Sequence, residues 1–234
     1  MVAEIIAGIK IEINMGWKQI LNKIFGSSKK EVVIQNKLSR ESIALHEAAH
    51  GIVWYLFKDN WTVDRLTIER TGLPDESMNG ALHITANFNE NGQNSVERAN
   101  ELFAISLAGM IGQNILIVLQ RENILIEVAQ AQHFKYILDT NGCSGDFEIA
   151  SKFLAPLAQQ FGVNQYSFTK YKVMDLINLF QNHYKVQQLH KNLTQILLEK
   201  GTIQRHELIS FFEANRFQEY IEDENLDINF FHQR

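Results

Sequence analysis

The stretch ALHEAAHGIV at residues 44–53 sets His46, Glu47 and His50 in an HExxH arrangement. Ile43, Leu45, Ala49, Ile52, Val53 and Leu56 recur at helical spacing around it, Glu41 falls in the first turn and Ser39 stands in N-cap position. A helix over roughly 40–57 is expected. Residues four apart on a helix lie one above the other, so His46 and His50 present two imidazoles to one point. Neutral imidazole is a good zinc ligand. Glu47 follows the first histidine directly, where a carboxylate can take the proton of water that a metal has acidified. The pattern points to zinc peptidase chemistry, with His46 and His50 as ligands and Glu47 as general base. Chance matches to HExxH tend to fall in loops or to carry a proline between the histidines. This one is mid-helix, with Ala48 and Ala49 between the ligands and Gly51 after them.

Catalytic zinc usually takes three protein ligands and leaves one position open. The metzincin extension would need glycine at 53 and histidine at 56, but the chain has Val53 and Leu56, which excludes that class. A glutamate from a later helix would serve a gluzincin. Glu76 is too close to Pro74 to sit within a helix, whereas Glu97 and Glu101 both fall on one. The remaining candidate is Asp146, which follows the segment TNGCSG at residues 140–145.

Around these motifs the chain reads as mainly helical, with two prolines in 234 residues. Val63–Glu69 and Ala81–Thr85 alternate like strands of a small sheet, separated by the turn signals Gly72, Pro74, Asn79 and Gly80. Asn94 with Glu97 resembles a capping box opening a long apolar helix to about Gln120. A further helix is expected from near Asp146 to Phe161, ending at Gly162 with a kink at Pro156, followed by helical patterns at about 170–200 and 203–215. Residues 1–38 form an N-terminal extension, of which 1–30 reads as strand or helix, 39–215 the main domain, and 216–234 a polar, acidic tail.

Composition narrows the function classes. Hydrophobic residues make up 45% of the chain and charged ones 21%, ordinary values for a globular domain. The net charge of −5, without a basic stripe, argues against nucleic acid. The single cysteine, Cys143, cannot pair within the chain, which fits a reducing, cytoplasmic setting. The first twenty residues carry Glu4 in their apolar stretch and no small-residue cleavage pattern, unlike a signal peptide. Leu102–Leu119 is free of formal charge, but Ser106, Gly109, Gly112, Gln113 and Asn114 are costly opposite lipid. A buried core helix is expected there, with no membrane span.

HEAAH resembles the HEAGH motif of the FtsH-type peptidase domain, the proteolytic half of membrane-bound AAA+ proteases. In that family a downstream TTGASND segment supplies an aspartate as third zinc ligand, and TNGCSGD here aligns with it without a gap, placing Asp146 in the ligand position. The family's next helix runs sixteen residues to a glycine, as Asp146 to Gly162 does. DRLTIERTG and GALHIT resemble two family strands, SLAGMIGQNI its LGGRAAEEI helix, and LLEKGTIQRHEL its C-terminal LLE.ETLDG.EI signature. The resemblance covers about residues 40–212. The glycine of HEAGH is Ala49 here, and the family's acidic pair has become Gln113 and Asn114. No Walker A sequence GxxxxGK[ST] occurs, so the resemblance implies a peptidase domain without its motor.

The resemblance implies a mainly α (α+β) zincin-like fold with a small sheet beside the HEAAH helix. It further implies a Zn2+ cofactor and an extended polypeptide substrate laid along the strand at Gly80–Thr85. A separate AAA+ unfoldase and assembly as a homo-oligomer are compatible with it. His83, on that strand, reads as a plain strand histidine or as an oxyanion donor. Cys143 reads as a small apolar filler. His133, His183, His190, His206 and His232 lack partner spacing, and Trp54, Tyr55 and Phe57 read as core packing. The rival class is a non-catalytic descendant that keeps the fold as a binding or assembly module.

Overall fold

The computed structural model describes residues 40–69, 81–86, 95–121, 144–224 and Leu226. The N-terminal extension, Ser39, Asn94, Cys143, His133 and His232, all named above, lie outside these residues. The described chain is mainly helical with one small antiparallel sheet, as the sequence pattern implies. In order, the elements are α1 (Arg40–Leu56), β1 (Trp61–Thr67), β2 (Ala81–Ala86), α2 (Ser95–Arg121), α3 (Ser144–Gln160), α4 (Gln165–Asn182), α5 (Tyr184–Lys200), β3 (Thr202–Gln204), α6 (Arg205–Ala214) and α7 (Phe217–Asp223).

Helix α1, which carries HEAAH, is the centre of the packing. Ala44, Ala48, Ala49, Ile52 and Val53 have no exposed surface, and the helix contacts α2, α5, β1 and β2. Gly51 lets it wedge between sheet and bundle: a Cβ there would meet Leu66 of β1 at 3.1 Å and Leu193 of α5 at 3.3 Å. A helix buried on nearly every side draws its stability from tertiary packing, each fully buried large apolar side chain contributing about 1.5–3 kcal/mol. Helix α2 supplies the opposing wall. Phe103, Ala104, Ile105, Leu107, Ala108, Met110 and Ile111 are all buried, which makes its long apolar run a core feature. No helix among the described residues is long and apolar enough to cross a membrane.

The sheet has the order β2-β1-β3. Strand β1 pairs antiparallel with β2, from Trp61 opposite Ala86 to Thr67 opposite Ala81, with a bulge between Val63 and Arg65. Leu66, which packs against α1, is opposite Leu82, so Leu82 shares the inner face. His83 is opposite Arg65 on the outer face. Among the described residues, strand β2 forms one edge of the sheet.

Three departures from the sequence pattern have physical causes. The helical run expected at 170–200 divides into α4 and α5 at His183, whose φ of −109° and ψ of 99° are extended. Gln187 Nε2 donates to the carbonyl of Gln181 across the break. Strand β3, three residues long, exists because Arg65, Leu66 and Thr67 offer it partners. The segment after Arg216, expected as a polar tail, opens with α7, where Phe217 and Ile221 are buried. Phe217 stacks on Phe212 and lies against Tyr55, with ring centroids 5.6 and 5.5 Å apart.

His190 of α5 braces the start of the HEAAH turn. Its Nε2 donates to the carbonyl of Leu45 at 2.7 Å, and its ring meets Phe180 edge-on. Burial pushes its pKa from 6.5 to about 4, against a small opposing effect of that carbonyl. Between these two values the unfolded chain binds the proton and the folded chain does not. The stability of the neutral buried ring is therefore present above about pH 6.5 and lost as pH falls toward 4, with a slope of at most about 1.4 kcal/mol per pH unit. We expect wild type to lose roughly 2 kcal/mol more than His190→Gln between pH 7 and 5 in urea unfolding. Equal losses would contradict a neutral buried His190.

Candidate metal site

Three side chains from two helices converge on one point. His46 Nε2 lies 2.8 Å from Asp146 Oδ2, His50 Nε2 lies 3.5 Å from the same oxygen, and the two Nε2 atoms are 3.0 Å apart. The histidines sit on successive turns of α1, and the aspartate is the third residue of α3. Its side chain is spent on the histidines, in the first turn where the helix dipole favours an anion. Among the described residues, these three are the group of histidine, cysteine and acidic side chains that could hold a metal ion.

The donor set fits a small divalent ion. Bonds of about 2.0–2.1 Å at tetrahedral angles would put neighbouring donors about 3.3 Å apart, close to the 2.8, 3.0 and 3.5 Å edges here. Gly109 of α2 makes room for the two rings: a Cβ there would sit 2.4 Å from His46 Nε2, 2.4 Å from His50 Nε2 and 2.6 Å from His46 Cδ2. His50 Nδ1 lies 2.6 Å from the carbonyl oxygen of Ile105, which can only accept. The ring proton is therefore on Nδ1, and Nε2 turns a lone pair toward the anionic Asp146. Facing acceptors of this kind attract a positive centre, a proton or a metal ion.

Two carboxylates of the site are driven in opposite directions. Burial would raise Asp146, but His50 and His46 outweigh it and hold the carboxyl well below its usual range. Glu47 is raised by burial, with His50 and His46 opposing and Asp146 adding to the rise. Its Oε2 is buried without a hydrogen-bond partner. An orphaned carboxylate oxygen beside three metal donors is poised to act on a further ligand rather than to stabilise the fold.

Helix α2 supports the site with a row spaced by four residues. Gln113 Oε1 lies 3.1 Å from His46 Nδ1, Gly109 leaves the gap, Ile105 takes His50, and Glu101 closes the row. Glu101 was a candidate ligand by sequence. Instead its carboxylate accepts from Asn60 Nδ2 and Trp61 Nε1, each at 2.8 Å, clamping the turn after α1. Glu97 is exposed on the first turn of α2. His83 shares the outer sheet face with Arg65, away from the packing face of α1, which fits the plain strand reading. The support row was missed by sequence reasoning, since Glu, Ile, Gly and Gln at that spacing form no residue-type pattern.

No protein-family model matches the chain, and no curated protein is significantly similar to it. The site therefore stands on its geometry and on the motif resemblance given above.

If Asp146 ligates a metal and is not only a cap, Asp146→Asn should weaken metal binding with the helices intact, because asparagine caps as well as aspartate but offers a neutral oxygen. Glu101→Gln should keep the metal and lose about 1–3 kcal/mol of stability, since one buried N–H loses its acceptor. Metal content and unfolding curves of the two variants check this. The reverse pattern would make Glu101 the ligand.

Proposed function

We propose that the chain is a zinc-dependent metallopeptidase that hydrolyses peptide bonds of extended or unfolded polypeptides. The observation that carries this reading is the buried Glu47 with an unpartnered Oε2, set beside the His46–His50–Asp146 donor triangle. When bound, zinc supplies Lewis acidity that acidifies water and polarises a carbonyl. His46, His50 and Asp146 would hold it. Glu47 takes a proton from the attacking water at its free carboxylate oxygen as the water oxygen bonds to the peptide carbon. It then passes that proton to the amide nitrogen as the carbon–nitrogen bond breaks. Burial of Glu47 raises its proton affinity, which suits a group that must take a proton from water. Edge strand β2, which packs against α1, would receive the substrate backbone by strand addition.

The motif order that resembles an FtsH-type peptidase supports the same reading. A domain of this kind would take unfolded chains directly and depend on an AAA+ unfoldase for folded ones. The single cysteine suits a cytoplasmic setting.

Glu47→Gln keeps size and removes the base. It should retain zinc while hydrolysis of unfolded casein falls by about 10²–10⁴-fold. Undiminished turnover would assign the base elsewhere, and a wild type that holds zinc but cleaves nothing would favour the binding-module reading.

A further inference from the structure

A ligating histidine must offer a lone pair at the nitrogen that faces the metal, and its other nitrogen decides whether it does. For His50 the partner is a backbone carbonyl, which leaves no choice. For His46 the partner is the side-chain amide of Gln113, whose two ends impose opposite tautomers. With Oε1 toward His46, the ring proton sits on Nδ1 and Nε2 turns a lone pair to Asp146 and His50. With the amide reversed, Nδ1 must accept and the proton moves to Nε2, into the position a metal needs.

The far end of the amide is engaged as well. Gln113 Nε2 donates to Ser42 Oγ at 2.5 Å. Ser42 lies one turn before His46 on α1, so Gln113 spans two successive turns of the helix. Gln113 is 3% exposed, so losing a partner of its amide is costly. Reversal would turn an N–H toward His46 Nδ1 and require the Ser42 hydroxyl to donate where it now accepts.

We propose that Gln113, pinned by Ser42, is a positioning residue that sets the His46 tautomer and aims Nε2 at the metal position. The proposal rests on the metallopeptidase reading for its purpose and on the Ser42–Gln113–His46 contacts for its geometry. The closing experiment has two readouts. Nitrogen-15 NMR of the imidazoles reports the His46 tautomer in metal-free protein at mildly alkaline pH. Competition with a chromophoric chelator reports zinc affinity.

Wild type should show the proton on His46 Nδ1. Gln113→Leu, similar in size and without an acceptor, should move it to Nε2 or to a mixture and weaken zinc by about 10–100-fold. Gln113→Glu restores an acceptor at Nδ1, and should restore the tautomer and bring affinity back to within about threefold of wild type. Ser42→Ala, which leaves Gln113 in place, should shift the tautomer by itself, and it answers the question if the leucine variant fails to fold. A wild-type proton on Nε2, an unchanged tautomer in both Gln113→Leu and Ser42→Ala, or an equal loss of affinity in the leucine and glutamate variants would overturn the proposal. If wild type binds no zinc while the tautomer still follows Gln113, the positioning stands and the metallopeptidase reading falls.

Discussion

Helices α1 and α2 approach so closely that a Cβ on Gly112 would lie 2.3 Å from the Cβ of Ala49, and one on Gly109 would lie 2.4 Å from two imidazole nitrogens. Everything at the site depends on this approach. It brings the Ile105 carbonyl within 2.6 Å of His50 Nδ1 and the Gln113 amide within 3.1 Å of His46 Nδ1. In a helix the Cβ of residue i+4 leans over the carbonyl of residue i. The missing Cβ of Gly109 therefore serves twice, uncovering the Ile105 carbonyl and leaving room where the ring nitrogens converge. The ends of the contact are fixed as well. Glu101 ties α2 to Asn60 and Trp61 just beyond α1, and Gln113 ties it to Ser42 near the start.

Two carboxylates within one buried cluster would ordinarily repel and compete for a single proton. Here their surroundings separate them. Asp146 has both histidines as partners and stays ionised, whereas Glu47 has burial as its largest influence and an oxygen left without a partner. Environments that push two acids apart in this way assign different roles to them. The aspartate is the one suited to hold a cation, and the glutamate the one suited to exchange a proton. The division follows from position: Asp146 comes from the first turn of α3 and reaches the ring nitrogens, while Glu47 lies between the two histidines on α1 itself.

The parts of this arrangement that were legible in the sequence are those in which one residue type is required. Two histidines four apart on a helix, the acid between them, and a downstream aspartate before a helical run all carry their chemistry in their identity. The strands at 61–67 and 81–86 were visible because alternation between faces leaves a period of two. What could not be read depends on tertiary partners. Nothing in the residues around His183 breaks a helix, and the division there is made by contacts such as Gln187 to Gln181. Strand β3 is too short to show alternation and is defined by β1. Glu101 as a ligand and Glu101 as a clamp look identical in sequence, and only the indole and amide donors beside it distinguish them. Phe217 and Ile221 are two apolar residues in an acidic segment, and their burial against Tyr55 and Phe212 follows from where α6 delivers the chain.

The central claim is that His46, His50 and Asp146 form a metal centre with Glu47 beside it. Anomalous diffraction at the zinc edge from crystals of the protein purified without chelator tests it most directly. One peak per chain is expected, about 2.0–2.2 Å from His46 Nε2, His50 Nε2 and an Asp146 carboxylate oxygen, with Glu47 outside bonding distance. A peak coordinated by Glu101, or fully zinc-supplemented crystals with no density between the two histidines, would contradict it.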